Sequence, residues 1–261
     1  MVWVVIIVGL VLIYFLVSLF FLFKQRSLIF EPKALPQDYV FDFKGDFEEK
    51  TIDLFLGSVN CLRFKVSNPK GCVMFHHGNE GNLLRWAPQH EKFTKHGYDV
   101  FVYDYRTYGK SKGVLTEKML MRDAKRLHSY LLLHYKAEDI IQYGISLGTG
   151  IATKLSVKVN PSLLILETPY ISMLEMANRK APYLWNVFLL KFHIRTDKSI
   201  RKLKCPIYLF HGTDDATIPY KDSVILSQLN PNSHLTTIKG GHHSDLFTFE
   251  MYNTQMAQIL G

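Results

Sequence analysis

The chain has 261 residues, 48% of them hydrophobic, and it carries 31 Lys and Arg against 23 Asp and Glu, a net charge of +8. This length allows one large domain with a sizeable core, and the absence of repeats and low-complexity tracts argues against a solenoid or a disordered scaffold. Only Cys61, Cys72 and Cys205 are cysteines, far apart and without metal-ligand spacing, so reduced, buried thiols are favoured over a disulfide framework.

The first 23 residues, MVWVVIIVGLVLIYFLVSLFFLF, contain no charge. As a helix they would extend about 34 Å, enough to cross a hydrocarbon core of about 30 Å. A cleaved signal peptide fits poorly, because the run lacks a basic start and a small-residue cleavage site. We therefore expect a transmembrane anchor over residues 1–23 and a linker leading into the domain over residues 24–50. Lys24 and Arg26 directly follow the span, which favours a cytoplasmic location for the rest of the chain.

The remaining residues, 51–261, are predicted to form one α/β domain. TIDLFLG and NCLRFKVS indicate a β-hairpin, and five apolar runs then alternate with helical stretches: CVMFHHG, DVFVYDY, DIIQYGIS, SLLILETP and PIYLFHG. HLTTIKGG near the end is an eighth strand candidate, and the first helical stretch, over residues 82–97, is NLLRWAPQHEKFTKHG. Apolar strands alternating with helices predict a mostly parallel sheet covered on both faces. A hydrophobic helical insertion at about 171–203 interrupts this alternation.

Ligands of open parallel sheets bind beyond the carboxyl ends of the strands, so the residues after each strand are the candidates for chemistry. Gly144-Ile145-Ser146-Leu147-Gly148 has the form G-x-S-x-G between a predicted strand and a predicted helix. That context is the one a nucleophile elbow requires, in which the glycines permit a sharp turn and the helix N-terminus favours negative charge at the serine. Ser146 is therefore the candidate nucleophile.

A serine hydroxyl needs an imidazole to accept its proton and a carboxylate to hold the imidazole tautomer. The acid candidates are Asp214 and Asp215 in HGTDDATIP, after the strand PIYLF. The base candidates are His242 and His243 in KGGHHSD, after the last strand. The order Ser, Asp, His along the chain is that of the α/β hydrolases. From the spacing alone, both members of each pair stay open.

Taken together, FHHGNEGN, DYRTYGKSKG, YGISLGTGIA, HGTDDATIP and GGHHSDL resemble the α/β-hydrolase superfamily, over nearly the whole chain after the apolar N-terminus. The nearer likeness is to membrane-anchored serine hydrolases that include protein depalmitoylases and bacterial relatives. The resemblance implies an α/β-hydrolase fold with a mostly parallel eight-stranded sheet covered by helices. It points to Asp215 as the acid, to His243 as the base, and to the insertion at about 171–203 as a cap.

An oxyanion hole is expected from two backbone N–H groups. One belongs to Leu147, directly after the nucleophile. The family likeness assigns the other to Asn79, in the loop after CVMFHHG. His77 and His211 each precede a glycine at a strand end and are interpreted as loop-ordering residues.

Two further patterns have simple interpretations. Asp104 and Arg106 are expected to pair and brace their loop. His76 with His77 and His242 with His243 form adjacent pairs without metal-ligand spacing, so no metal and no cofactor are predicted.

The predicted cap combines methionines and aromatics with flanking cations, which suits the roof of a lipophilic acyl pocket as well as ordinary packing over the sheet. From Arg179 to Lys204 it holds eight basic residues and one acid, Asp197. No nucleic-acid module accompanies this cluster, so attraction to anionic lipid headgroups is the favoured interpretation, without a nucleic-acid partner.

These features predict a membrane-anchored serine hydrolase that cleaves an ester or thioester of a lipophilic acyl group. Two alternatives stay open. One is a serine peptidase-like hydrolase, although no additional substrate-selecting domain is present. The other is a non-catalytic membrane adaptor that retains the fold, because a fold does not by itself determine a function. The sequence specifies neither the acyl chain nor the leaving group nor the oligomeric state.

Overall fold

A computed structural model describes residues 1–180 and 190–261 of the chain. Eleven strands lie in this described part. In chain order they are β1 (Glu31–Pro32), β2 (Asp46–Leu54), β3 (Gly57–Lys65), β4 (Cys72–His76), β5 (Glu80–Gly81), β6 (Asp99–Tyr103), β7 (Lys112–Gly113), β8 (Ile140–Ile145), β9 (Leu164–Glu167), β10 (Ile207–Gly212) and β11 (Ser233–Ile238).

The same part of the chain contains nine α-helices. They are α1 (Val2–Ile29), α2 (Leu83–Trp86), α3 (Glu91–Thr94), α4 (Glu117–Leu131), α5 (Leu147–Val159), α6 (Met173–Lys180), α7 (Thr196–Ile200), α8 (Lys221–Gln228) and α9 (Glu250–Leu260). The helix expected over residues 82–97 is broken into α2, a 3₁₀ turn and α3, because Pro88 lies inside it and cannot donate a backbone hydrogen bond.

Eight strands follow one path through the main sheet, in the order β11-β10-β9-β8-β4-β6-β3-β2, and the two-residue strand β7 pairs with β3. The six strands from β11 to β6 are mutually parallel, whereas β3 and β2 form the predicted antiparallel hairpin at one edge. The predicted mostly parallel eight-stranded sheet is confirmed. The carboxyl ends of all six parallel strands therefore meet at one edge.

Side chains of successive strand residues enter different cores, because they point to opposite faces of the sheet. Cys72 and Met74 of β4 belong to the core beneath α4 and α5, whereas Val73 and Phe75 belong to the core beneath α2, α3 and α9. All four side chains are fully buried. This two-sided burial is why the parallel strands are continuous apolar runs in the sequence.

The chain before the hairpin is more ordered than a linker. Helix α1 continues past residue 23 to Ile29, and β2 begins at Asp46, ahead of the expected domain start at residue 51. Between them, β1 pairs in parallel with β5, directly beyond the carboxyl end of β4. The segment 24–50 thus contacts the domain at several points, and its buried residues are Gln25, Phe30 and Phe41.

The region of the predicted cap begins with α6 and ends after α7. Its two ends are joined, because Met173 N donates to Ile194 O at 3.0 Å and Ser172 forms an antiparallel bridge with Arg195. The middle of the predicted cap, residues 181–189, lies outside the described residues. The flanking segments close over the end of the sheet where the strand carboxyl ends meet.

Candidate active site

Ser146 occupies the turn between β8 and α5, with φ 52° and ψ −120°. A Cβ atom at Gly144 would lie 2.5 Å from Gly148 O, and one at Gly148 would lie 1.9 Å from His76 O. No side chain fits at either glycine, so the sharp strand-to-helix turn depends on both. This is the geometry that G-x-S-x-G requires, and it brings the serine hydroxyl to the carboxyl edge of the sheet.

A chain of hydrogen bonds joins Ser146 to two residues that follow neighbouring strands. His243 Nε2 lies 3.0 Å from Ser146 Oγ, and His243 Nδ1 lies 2.7 Å from Asp215 Oδ2. Asp215 follows β10 and His243 follows β11, and these strands are adjacent in the sheet. With an ionised Asp215 accepting from Nδ1–H, Nε2 is left free to accept the serine proton.

Asp215 is held as a carboxylate by several donors. Burial alone would raise its pKa, but hydrogen bonds from His211 and His243 outweigh that effect and hold the pKa of Asp215 well below its ordinary value. The backbone N–H groups of Thr217 and Ile218 donate to Oδ1 at 2.8 and 2.9 Å. A permanently charged carboxylate can orient His243 and stabilise its imidazolium form.

His211 contacts Asp215 directly, which is a more specific interaction than the loop ordering expected of it. Its Nε2 lies 3.1 Å from Asp215 Oδ2 and 2.9 Å from Ile218 O, while Nδ1 lies 2.6 Å from Ser223 Oγ. Because Nε2–H donates toward the two oxygens, Nδ1 accepts from the serine hydroxyl. The spacing H-G-x-x-D was the available signal, since His211 stands four residues before Asp215.

The neighbouring acid and histidine lie outside this chain. Asp214 is exposed and accepts from Thr213 Oγ1 at 2.7 Å. His242 is exposed as well, and its Nδ1 lies 2.9 Å from Asp245 Oδ2. Of the two adjacent pairs in the sequence, only Asp215 and His243 are joined to Ser146.

The two expected oxyanion donors, Leu147 and Asn79, line one cavity together with Ser146. Leu147 is the first residue of α5, and N–H groups of a first helical turn have no intrahelical acceptor. The loop that carries Asn79 lies in contact with Ser146, since a Cβ atom at Gly78 would be 3.6 Å from Ser146 Cβ. Both backbone N–H groups are therefore candidates for contact with a reacting carbonyl oxygen.

His77 orients this loop. Its ring is fully buried, stacks on Tyr105 with centroids 4.0 Å apart, and places Nδ1 2.7 Å from Gly78 O. Burial lowers the pKa of His77 to about 3, so the ring is neutral and its Nδ1–H donates to the carbonyl. In a trans peptide the N–H points opposite to the C=O, so this bond determines where the Asn79 N–H points.

The expected pairing of Asp104 with Arg106 is wrong. The Arg106 guanidinium binds Asp123 of α4 at 2.6 and 2.9 Å and the carbonyl oxygens of Phe55 and Leu56, whereas Asp104 faces His77 at 3.6 Å. These partners come from distant parts of the chain, and the local spacing gave no sign of them.

Within residues 1–180 and 190–261, no group of three or more His, Cys, Asp or Glu is arranged to hold a metal ion. His76 is instead engaged with Tyr103 Oη at 2.8 Å and Gln142 Oε1 at 2.9 Å. The cysteines are buried, and burial raises the pKa of the Cys205 thiol and, more strongly, those of Cys61 and Cys72.

The cavity at Ser146 has a volume of about 240 Å³ and a mostly apolar wall. Part of the wall comes from the predicted cap and part from α1. The apolar lining residues include Met173, Met176, Leu190, Phe21, Leu28 and Ile29. The contribution of the N-terminal helix was not anticipated from the sequence, because nothing local places that helix beside a turn more than 100 residues further along the chain.

A family model described as alpha/beta hydrolase fold matches residues 71–193, which carry β4, β6, β8, β9 and the Ser146 turn. The chain is similar to a Pyrococcus furiosus esterase of known structure, with a TM-score of 0.67 at 20% identity over 88% of this chain and 98% of that one. These matches show that the chain has an alpha/beta hydrolase fold.

Two curated relatives of this chain carry informative names. It is 28% identical to the human alpha/beta hydrolase domain-containing protein 17B, over 77% of this chain and 70% of that protein. It is 26% identical to the lysophosphatidylserine lipase ABHD12 of Danio rerio, over 60% of this chain and 46% of that protein. The resemblance to α/β hydrolases that the motifs indicated is confirmed by these relatives.

Proposed function

We propose that this α/β hydrolase is a membrane-anchored serine hydrolase that cleaves carboxylic ester or thioester bonds of lipophilic acyl substrates. The observation that carries the proposal is the hydrogen-bonded chain from Asp215 through His243 to Ser146, opening into an apolar cavity. A relative named as a lysophosphatidylserine lipase and a structural neighbour described as an esterase support this reaction class.

In the proposed reaction Ser146 Oγ attacks the substrate carbonyl carbon while His243 Nε2 accepts the hydroxyl proton. Asp215 holds the imidazolium through its Nδ1–H. The negative charge on the carbonyl oxygen is met by the N–H groups of Leu147 and Asn79, each contributing about 3 kcal/mol in the transition state. When the intermediate collapses, His243 gives the proton to the leaving oxygen or sulfur, and the acyl group stays on Ser146.

Water completes the cycle. His243, which has given up its proton to the leaving group, accepts a proton from a water molecule that attacks the acyl-serine. The bond between the acyl carbon and Ser146 Oγ then breaks, His243 returns the proton to Oγ, and the acid is released. No metal or organic cofactor enters any step of this proposal. The ring orientation and tautomer of His243 required at both stages depend on the charged state of Asp215.

The membrane part of the proposal concerns α1 and the basic segment from Arg179 to Lys204. Helix α1 contains an 18-residue window with mean hydropathy 3.1, of which 6% is buried. An apolar surface of that length is stable in a bilayer and costly in water. With Lys24 and Arg26 at its end the domain would be cytoplasmic, and the basic segment would meet anionic headgroups there.

The test uses an alkyl fluorophosphonate, which phosphonylates activated serines. The full chain should be labelled, and Ser146→Ala should abolish both labelling and hydrolysis of p-nitrophenyl esters, with a rate loss of about 10⁴–10⁶. Ser129→Ala, an exposed serine on α4, is the matched control and should retain both. If the wild-type protein is neither labelled nor active on any ester or thioester, the adaptor interpretation is favoured instead.

A further inference from the structure

The end of α1 is docked on the hydrolase domain. Gln25 Oε1 accepts a hydrogen bond from the backbone N–H of Lys191 at 2.7 Å, and the Gln25 side chain is 1% exposed. One residue past the helix, the Phe30 ring lies 4.8 Å from that of Phe192. Lys191 Nζ also lies 5.4 Å from the centroid of the Phe23 ring. The helix is therefore fastened to the C-terminal part of the predicted cap.

One face of α1 lines the cavity at Ser146. Phe21, Gln25, Leu28 and Ile29 line the cavity at Ser146, and their spacing of three to four residues places them on one side of the helix. Leu19 lies about nine positions before Leu28 and hence on the opposite side, outside the cavity. The helix thus presents an inner face to the site and an outer face to its surroundings.

The polar groups near Ser146 and the mostly apolar walls form different parts of the cavity lining. In the described lining, Asn79 and Thr217 are the polar residues near Ser146, whereas α6, Leu190 and α1 supply mostly apolar walls. Lys180 of α6 and Gln25 of α1 are the polar residues within those walls. A carbonyl carbon placed at Ser146 Oγ would leave its acyl chain to follow these apolar walls. Because Phe21 belongs to the apolar run and Leu28 lies beyond it, the wall continues from the membrane-spanning part of the helix to the nucleophile.

We propose that the inner face of α1 is a wall of the acyl-binding site, so that the substrate's acyl chain lies between α1 and α6 and Phe21, Leu28 and Ile29 determine chain-length preference. A long acyl chain would then pass from the bilayer to Ser146 without exposing its methylene groups to water. This assignment rests on the proposed serine hydrolase function. It gives the helix a role in substrate selection in addition to attachment.

The first experiment compares hydrolysis of p-nitrophenyl butyrate and p-nitrophenyl palmitate by the full chain in phosphatidylcholine nanodiscs. Leu28→Trp places a larger side chain in the cavity, where it would exclude a long acyl chain more than a short one. The palmitate-to-butyrate ratio of kcat/KM should therefore fall about tenfold or more. Leu19→Trp makes the same change on the outer face and should leave that ratio within about twofold of wild type. An unchanged ratio in Leu28→Trp, or equal falls in both variants, would overturn the proposal.

A second experiment needs no turnover and therefore separates this proposal from the proposed reaction. Full-length Ser146→Ala is irradiated with a long-chain fatty acid methyl ester carrying a terminal diazirine. Labelling of Phe21, Leu28 or Ile29 that excess methyl palmitate suppresses supports the acyl wall, even if the esterase assay fails. Labelling that excess methyl palmitate does not suppress would show that α1 does not contact the acyl chain. Suppressible labelling confined to other helices would show the same.

Discussion

The backbone of Ser146 adopts a conformation, φ 52° and ψ −120°, that costs a residue with a Cβ atom about 1–3 kcal/mol. Neighbouring hydrogen bonds offset that strain. Ser146 N donates to Glu167 O at 2.9 Å, and Ser146 O accepts from Thr149 N and Thr149 Oγ1 at 3.0 and 2.6 Å. The hydroxyl is thereby aimed at His243 before any substrate binds, which is the preorganisation that nucleophilic catalysis requires.

His243→Ala should lower kcat/KM for a soluble short-chain ester by about 10⁴ or more, because no other group would accept the serine proton. His242→Ala is the matched control and should change the rate by less than about threefold, since its ring bonds Asp245 instead. Steady-state kinetics on both purified variants, with circular dichroism to verify folding, measures the difference. An active His243→Ala beside an inactive His242→Ala would transfer the base to His242.

At the scale of secondary-structure elements, α1 is unusual because its amide-bearing residue is turned toward the domain. Gln25 is buried and bonded to Lys191, although the apolar window of the same helix is almost entirely exposed. A polar side chain in or beside a membrane span is costly unless a partner satisfies it, so such a residue commonly has a specific role. Here that role is to fix the register of α1 against the C-terminal part of the predicted cap.

Gln25→Leu should loosen this contact. The substitution keeps a side chain of similar size but removes the acceptor of the Lys191 N–H, which would cost about 1–3 kcal/mol if that amide stayed buried. Hydrogen–deuterium exchange of the Lys191 amide in nanodiscs should therefore accelerate by about tenfold or more. Ser27→Ala, on an exposed part of the helix, is the control. Equal exchange in Gln25→Leu and wild type would contradict the register role.

At the scale of the whole molecule, two imidazoles lie fully buried at the centre of the fold, directly after the buried apolar run of β4. Burial lowers the pKa of His76 to about 4 and that of His77 to about 3. In an unfolded chain both would titrate near the ordinary value of about 6.5. Between those limits the unfolded state binds more protons than the folded state, so stability rises with pH and falls on acidification.

The free energy of unfolding should therefore decrease as pH is lowered from about 6.5 toward 4, by up to about 1.4 kcal/mol per pH unit for each histidine. The low pKa of Asp215 does not act in this window, because its contribution is lost only as pH falls below the ordinary value of Asp. Denaturant unfolding in detergent at several pH values measures the slope.

The variant that isolates one contribution is His76→Gln, whose side chain can still bond Tyr103 and Gln142 but does not titrate. It should reduce the pH slope, and His134→Gln, at an exposed histidine, is the matched control. Stability that stays constant between pH 7 and pH 4.5 in the wild type would contradict the buried, neutral state assigned to His76 and His77.

Local patterns were sufficient for most of the fold. The buried apolar runs predicted the parallel strands, the alternation predicted the helical layers, and Gly144 and Gly148 predicted the turn at Ser146, because strand burial and tight turns depend on residues that are neighbours in sequence. The apolar N-terminal helix was equally evident from composition. The prediction of a continuous helix failed where that helix contained Pro88.

Only the tertiary structure decided which of two adjacent residues contacts Ser146 and which carboxylate binds Arg106. It also decided which segments enclose the cavity. Spacing alone could not separate His242 from His243, because the side chains of adjacent residues point in different directions and the sequence does not show which one points toward Ser146. Arg106 binds Asp123 because α4 packs beside its loop, and α1 reaches Ser146 because Gln25 binds Lys191. Each of these contacts joins segments distant in sequence, and their proximity arises only when sheet order and helix packing bring them together.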